Sequence, residues 1–167
     1  MNESLQIASA TEADAELIEL LARQIWPDAY QEILDPEQME YMLKWMYSPA
    51  TLRQQMQDGH TFLMAYLDNE AVGFAGFSIK DSDSRYWKLH KLYLLPSTQG
   101  KGFGKQLLEE VYRRVREGGG DYLDLNVNRN NKAQFVYQKL GFEIIESGDF
   151  SIGNGYFMND YIMRKKL

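Results

Sequence analysis

Leu94-Leu95-Pro96-Ser97-Thr98-Gln99-Gly100-Lys101-Gly102-Phe103-Gly104-Lys105 is the stretch on which the fold turns. It lies between an apolar, aromatic run that predicts a strand and an amphipathic run that predicts a helix. Glycines at 100, 102 and 104 let the backbone approach a ligand closely and turn successive N–H groups the same way. The helix that follows aims its positive end at the same spot, so the turn suits a phosphate or pyrophosphate. Lys101 and Lys105 can add charge, or simply be solvated. Two nucleotide-binding patterns fail here on spacing. A Walker loop needs Ser or Thr after Gly104-Lys105, where Gln106 stands, and a glycine where Gln99 stands. A dinucleotide fingerprint needs glycine at 105 after Gly100 and Gly102. A tight strand-to-helix turn without a ligand would use the same glycines, at a cost in backbone entropy.

Toward the C-terminus, Phe103, Leu107, Leu108, Val111 and Val115 form the apolar stripe of a helix ended by Gly118-Gly119-Gly120. Tyr122 to Val127 predicts a strand. Asn131 opens a short helix through Ala133, Val136, Tyr137 and Leu140, closed by Gly141, and strands follow at 142–146 and 156–163. Toward the N-terminus, Trp87 to Leu95 is a strand, and 61–67 and 71–79 form a hairpin around Asp68-Asn69-Glu70. Before them, Leu5 to Ala8 predicts an opening strand. A helix runs from the capping box Thr11–Asp14 to a stop at Pro27, and two more begin at Asp35-Pro36 and Ser48-Pro49. A hairpin-rich front followed by a βαβ crossover predicts a mixed sheet with helices on both faces. No linker or repeat interrupts residues 1–167, which read as a single domain.

Composition narrows the function. The chain has no cysteine, so disulfide frameworks and Cys-based zinc sites are excluded, and two histidines, His60 and His90, make a histidine metal centre a poor fit. A net charge of −6 argues against nucleic acid as a partner and is compatible with a cationic substrate, although solubility alone explains it as well. Met1-Asn2-Glu3-Ser4 carries no basic or apolar leader, and no apolar run is long enough for a bilayer, so the expectation is a cytoplasmic protein without a membrane or metal.

Gln99-x-x-Gly102-x-Gly104 resembles motif A of the GCN5-related N-acetyltransferase (GNAT) family, and Asn131 to Phe142 resembles its motif B. The pair lies one helix and one strand apart, as in that family, and the likeness extends over roughly residues 60 to 165. The resemblance implies an α/β fold whose mixed, mostly antiparallel sheet of six to seven strands carries helices on both faces. It also implies acetyl transfer from acetyl-CoA directly to a primary amine, without an acyl-enzyme. The cofactor-binding residues it implies are Leu92 and Leu94 on the strand, Gln99, Gly100, Lys101, Gly102, Phe103, Gly104 and Lys105 in the loop, and Asn131.

Tyr137 matches the family's general acid, a phenol that reprotonates the departing thiolate. It also lies on the apolar stripe with Ala133 and Leu140, where a core tyrosine would look the same. His90, nine residues before Gln99, stands where some family members carry a catalytic glutamate. Strict alternation would place it on one face with Leu92 and Leu94. Imidazole suits ammonium deprotonation, while a structural hydrogen bond or catalysis through ordered water are the alternatives.

For the acceptor, Trp26, Asp28, Tyr30 and Tyr86 supply aromatic and acidic groups able to cage an ammonium ion. The Met39, Met42, Trp45, Met46 stripe reads as core. The tail from Gly153 to Lys165 resembles the closing strand of bacterial small-amine and polyamine acetyltransferases. A small cationic amine is therefore the expected substrate, and the family allows a homodimer through the C-terminal strands. Another acyl-CoA, another acceptor, or a CoA-binding domain without chemistry are the rival readings.

Overall fold

The computed structural model describes residues 4–167. Met1-Asn2-Glu3, read above for the absence of a leader, lies outside the described residues. The described elements are β1 (Gln6–Ser9), α1 (Ala15–Tyr30), α2 (Pro36–Tyr47), α3 (Pro49–Gln57), β2 (Thr61–Leu67), β3 (Glu70–Lys80) and β4 (Asp83–Leu94). Then come α4 (Phe103–Glu117), β5 (Tyr122–Asn128), α5 (Ala133–Lys139), β6 (Glu143–Gly153) and β7 (Tyr156–Lys166). The strands form one seven-stranded sheet in the order β1-β2-β3-β4-β5-β7-β6. Every neighbouring pair is antiparallel except β4 and β5, which the α4 crossover joins in parallel. This is the mixed, mostly antiparallel sheet expected.

Local chemistry accounts for the boundaries. Asp35 Oδ1 accepts from the Gln38 N–H at 2.9 Å and Ser48 Oγ from the Thr51 N–H at 3.2 Å, so α2 and α3 each start at a capped residue followed by proline. Asp68-Asn69, Asp81-Ser82 and Asn154-Gly155 all have positive φ, the conformation that two-residue hairpin turns demand. One expected boundary was misplaced. Proline does not stop α1, because Pro27 sits in its last turn and the helix runs on to Tyr30. The lost hydrogen bond is offset by packing there, with Trp26 buried and its ring 4.6 Å from that of Tyr30. β6 also extends far beyond residue 146, as a mostly exposed edge strand whose polar sequence carries no inward alternation.

Helices cover both faces. α1, α2 and α3 pack with Phe62, Met64 and Phe74 into one core, and α4 packs with Leu63, Phe77, Leu89, Leu123 and Leu125 into the other. Among the described residues no helix is long and apolar enough to cross a membrane.

Two irregularities position the site. β4 and β5 pair only from Tyr86↔Tyr122 to Leu89↔Leu125. Beyond that point β4 stays with β3 as far as Leu94↔Gly73, and β5 stays with β7 as far as Asn128↔Asp160, so the parallel pair opens into a V. At the same point the β3–β4 register shifts between Gly76↔Lys91 and Phe77↔Leu89, leaving His90 as the extra residue of a bulge.

Candidate active site

The V between β4 and β5 is the entrance to two joined cavities. The smaller, of about 310 Å³, is lined by Leu92, Gln99, Asn131 and Tyr137, with Asn126 and Val127 across from them. The larger, of about 580 Å³, lies under α1 and α2 and reaches β6 and β7. Tyr30, Leu89, His90, Lys91, Tyr93 and Asn126 line both, so a ligand entering between the strands meets the larger chamber directly.

The glycine loop lies at the mouth. Gly100 and Gly102 have φ of 82° and 81°, and a Cβ at either would meet nothing within 4 Å. Neither glycine is therefore there to relieve crowding. They put the backbone in the left-handed region and leave its surface open to a ligand. Gly102 is the left-handed N-cap of α4, and the first N–H groups of that helix have no intrahelical acceptor. Gln99 ties the loop back to β4 by donating from Nε2 to the Leu94 carbonyl at 3.4 Å. Phe103 and Leu94 are buried, so they contribute backbone rather than side chain at the surface, and the Lys101 and Lys105 side chains are exposed. These residues fit a CoA pyrophosphate at the loop and a pantetheine arm in the V.

Tyr137 reaches the smaller cavity from α5. The helix ends in a Schellman motif, in which the Phe142 N–H donates to the Tyr137 carbonyl at 3.0 Å and the Gly141 N–H to that of Gln138 at 3.1 Å. Gly141 has φ of 97°, and the rings of Tyr137 and Phe142 meet edge to face with centroids 5.5 Å apart. Burial pushes the Tyr137 phenol well above its ordinary value, so it holds its proton. Asn131 accepts from the Ala133 N–H at 2.9 Å, which starts the same helix.

His90 takes a different place from the one its spacing predicted. The bulge breaks the alternation, so Leu92 and Leu94 pack toward α4 while His90 lies on the opposite face. There its Nε2 is 2.7 Å from Ser78 Oγ, and its ring stacks on His60 with centroids 4.5 Å apart. Burial, then the neighbouring His60, Lys88 and Lys91, pull its pKa down to about 2. An imidazole of that proton affinity does not take a proton from an ammonium ion near neutral pH, so a hydrogen-bonding role fits better than a base.

Of the residues expected to hold the acceptor, Trp26 and Tyr30 line the larger cavity, with Tyr30 Oη 2.7 Å from Tyr93 Oη. Asp28 is exposed on α1 and lines neither cavity, because the helical turn points it away from the sheet. Tyr86 is also elsewhere. It stacks on Tyr122 at 4.9 Å beneath the Arg164 guanidinium, where β4 and β5 are still paired. The stripe read as core is divided. Met42 is buried, but Trp45 is half exposed, and both line the larger cavity with Met46.

Sequence reasoning missed the charged lining of that chamber. Lys80, Lys88, Lys91 and Asp160 all line it. Lys80 is committed to Asp124, at 2.7 Å, which Arg164 also holds at 2.7 Å. Burial pushes the Asp124 carboxyl up, but these hydrogen bonds outweigh it and hold it below the usual range. Asp160 is buried, accepts from Asn126 Nδ2 at 3.3 Å, and is raised by burial. The available signal was a lysine or aspartate within an apolar strand, at 91 and 160, but their meeting around one cavity depends on the bulge in β4 and on the return of β7 beside β5.

The architecture and the site define an acyl-CoA-dependent transferase. The profile of the Acetyltransferase (GNAT) family matches residues 21–142, and the chain belongs to that family of N-acetyltransferases. It is 31% identical over 156 residues to an uncharacterised N-acetyltransferase of Mycobacterium tuberculosis, covering 92% of this chain and 98% of the other. It is also 31% identical over 169 residues to the spermidine N(1)-acetyltransferase of Thermoplasma acidophilum, covering 98% of each. Among solved structures, the PaiA N-acetyltransferase of Thermoplasma acidophilum in complex with coenzyme A superposes with a TM-score of 0.81 at 29% identity. That match covers 98% of this chain and 99% of the other. A GCN5-related N-acetyltransferase of Rhodopseudomonas palustris shares the fold, with a TM-score of 0.82 at 23% identity over 100% and 99% of the two chains.

Proposed function

We propose that this chain transfers the acetyl group of acetyl-CoA directly to the primary amine of a small acceptor, with Tyr137 as general acid. The observation that carries this reading is the placing of the half-buried Tyr137 on the wall of the cleft beside the glycine loop, where its surroundings favour the protonated phenol. The loop amides and the start of α4 hold the pyrophosphate, and the β4 backbone from His90 to Leu94, unpaired on its β5 side, orients the arm in the V. Acetyl-CoA supplies the thioester. The amine nitrogen forms its bond to the carbonyl carbon as the carbon–sulfur bond breaks, and Tyr137 Oη gives its proton to the sulfur.

The proton lost by the amine goes to Asp160, directly or through water. Among the described residues it is the one carboxylate lining the larger cavity, and burial raises its proton affinity above the ordinary one, whereas that of His90 is lowered. The relative named as a spermidine acetyltransferase supports a small amine as acceptor. The test is release of free CoA from acetyl-CoA across a panel of amines, in the wild type and in Tyr137→Phe. Amine-dependent release that falls about 100-fold or more in the variant is expected. Release without an amine, or full activity in the variant, would remove the assigned role.

A further inference from the structure

The larger cavity carries an excess of positive charge, although the chain as a whole has a net charge of −6. Among the described residues, Asp160 is the one carboxylate lining it, against three lysines. Lys80 is neutralised by Asp124. Lys88 has no hydrogen-bond or ion-pair partner among the described residues. Lys91 is buried, donates to the neutral Gln55 Oε1 at 3.0 Å, and lies over the faces of Tyr47 and Phe62, at 5.3 and 5.4 Å. Lys91 is removed from water and Lys88 partly so, with no ion pair to either among the described residues, and that cost is recovered when an anion enters beside them. Burial already weakens both cations in the free protein, with Lys91 drawn down to about 8.

The remaining lining is apolar and aromatic, from Trp26, Met42, Trp45, Phe150, Phe157 and Met158. A polyamine would carry its second and third ammonium groups into the field of Lys88 and Lys91, with only Asp160 to meet them. An acceptor with one amine, one carboxylate and an apolar body matches every part of this inventory. Asp160 lines the larger cavity and accepts a hydrogen bond from Asn126, which lines both, so its carboxylate is one residue removed from the cleft. Lys88 lies within electrostatic reach of Asp160, so the opposite ends of one small molecule can engage both.

We infer that the acceptor is a zwitterionic amine with an apolar body, an amino acid or short peptide, with Asp160 receiving its ammonium and Lys88 and Lys91 its carboxylate. This rests on the acetyl-transfer reading and adds the class of acceptor to it.

The experiment measures kcat/KM for L-methionine, L-phenylalanine, their carboxamides, the dipeptide methionylglycine with its carboxamide, and spermidine. Each amide has the less basic amine, so intrinsic reactivity favours it, and a preference for the carboxylate cannot come from amine basicity. The carboxylate forms are expected to exceed their amides and spermidine by about tenfold or more, the factor that one good charge contact supplies. In Lys88→Met, which keeps the apolar stem, that ratio is expected to fall toward one. A thermal shift with CoA reports whether the variant is folded, and the wild-type panel decides the matter if it is not. Whether the free amino acid or the dipeptide is preferred identifies the source of the carboxylate. Equal use of amide and carboxylate, preference for spermidine, or an unchanged ratio in both Lys88→Met and Lys91→Met would overturn the inference alone. Acetylation of none of these amines would overturn the transfer reading with it.

Discussion

Tyr137 and Phe142 are joined twice across the end of α5, by a backbone hydrogen bond of 3.0 Å and by an edge-to-face contact between their rings. The motif that ends the helix is thus also the device that aims the phenol. Gly141, between them in the chain, takes the left-handed conformation that completes it. Gly141→Ala is expected to destabilise the protein by about 1 kcal/mol or more. Because the same turn orients Tyr137, kcat should fall further than stability alone explains. Urea denaturation alongside steady-state kinetics separates the two, and an unchanged kcat in a destabilised variant would show that the turn does not aim the phenol.

His90 ties stability to pH. Its value in the folded protein is about 2, against an ordinary 6.5, so the unfolded chain takes up a proton that the folded chain refuses. The stabilisation is complete above the unfolded value and is lost as pH falls below it, by up to about 1.4 kcal/mol per pH unit. His60 is lowered by burial and adds in the same direction. Urea midpoints at pH 7 and pH 5 should drop more in the wild type than in His90→Gln, whose amide can keep the Ser78 contact. The same variant should retain kcat/KM within roughly fivefold, since loss of a true base costs about 100-fold or more.

For the loop, Gly102→Ala introduces a side chain at φ of 81°, which costs about 1–2 kcal/mol in backbone strain. The loop can relieve the strain only by moving away from the shape that presents its N–H groups. KM for acetyl-CoA should rise about tenfold or more. Gly59→Ala, also at positive φ and with open space around it but at the end of α3, is the control. Equal effects of the two substitutions on KM would deny the loop a binding role.

Asp124 joins β3, β5 and β7 through Lys80 and Arg164 while itself only 1% exposed. Asp124→Ala strands both cations, Arg164 of them over the Tyr86–Tyr122 stack, and a loss of about 3–5 kcal/mol is expected in chemical denaturation. A loss under about 1 kcal/mol would mean that solvent screens the network.

The architecture was legible because its signals are local. Caps at Asp35 and Ser48, glycine after Leu140 and the apolar stripe of α4 act within a turn or two of chain. Pro27 and the length of β6 were not legible. In both, packing or pairing with distant residues outweighed a weak or contrary local preference.

Of the site, Gln99 to Gly104, Asn131 and Tyr137 could be named from one dimension, because loop conformation and helix ending are written in adjacent residues. The larger cavity could not. One extra residue at position 90 moves His90 to the face opposite Leu92 and Leu94, and no periodicity announces a bulge. Asp160 meets Asn126, and Lys80 meets Asp124, only because β7 returns beside β5. The sequence by itself determined the sheet-and-helix frame, the family and the left-handed glycine turn before α4, since each depends on short-range backbone chemistry. The opening between β4 and β5, the face taken by His90 and the charge of the larger cavity were decided by tertiary structure alone. They depend on strand register and on the meeting of residues distant in the chain, which no local pattern encodes.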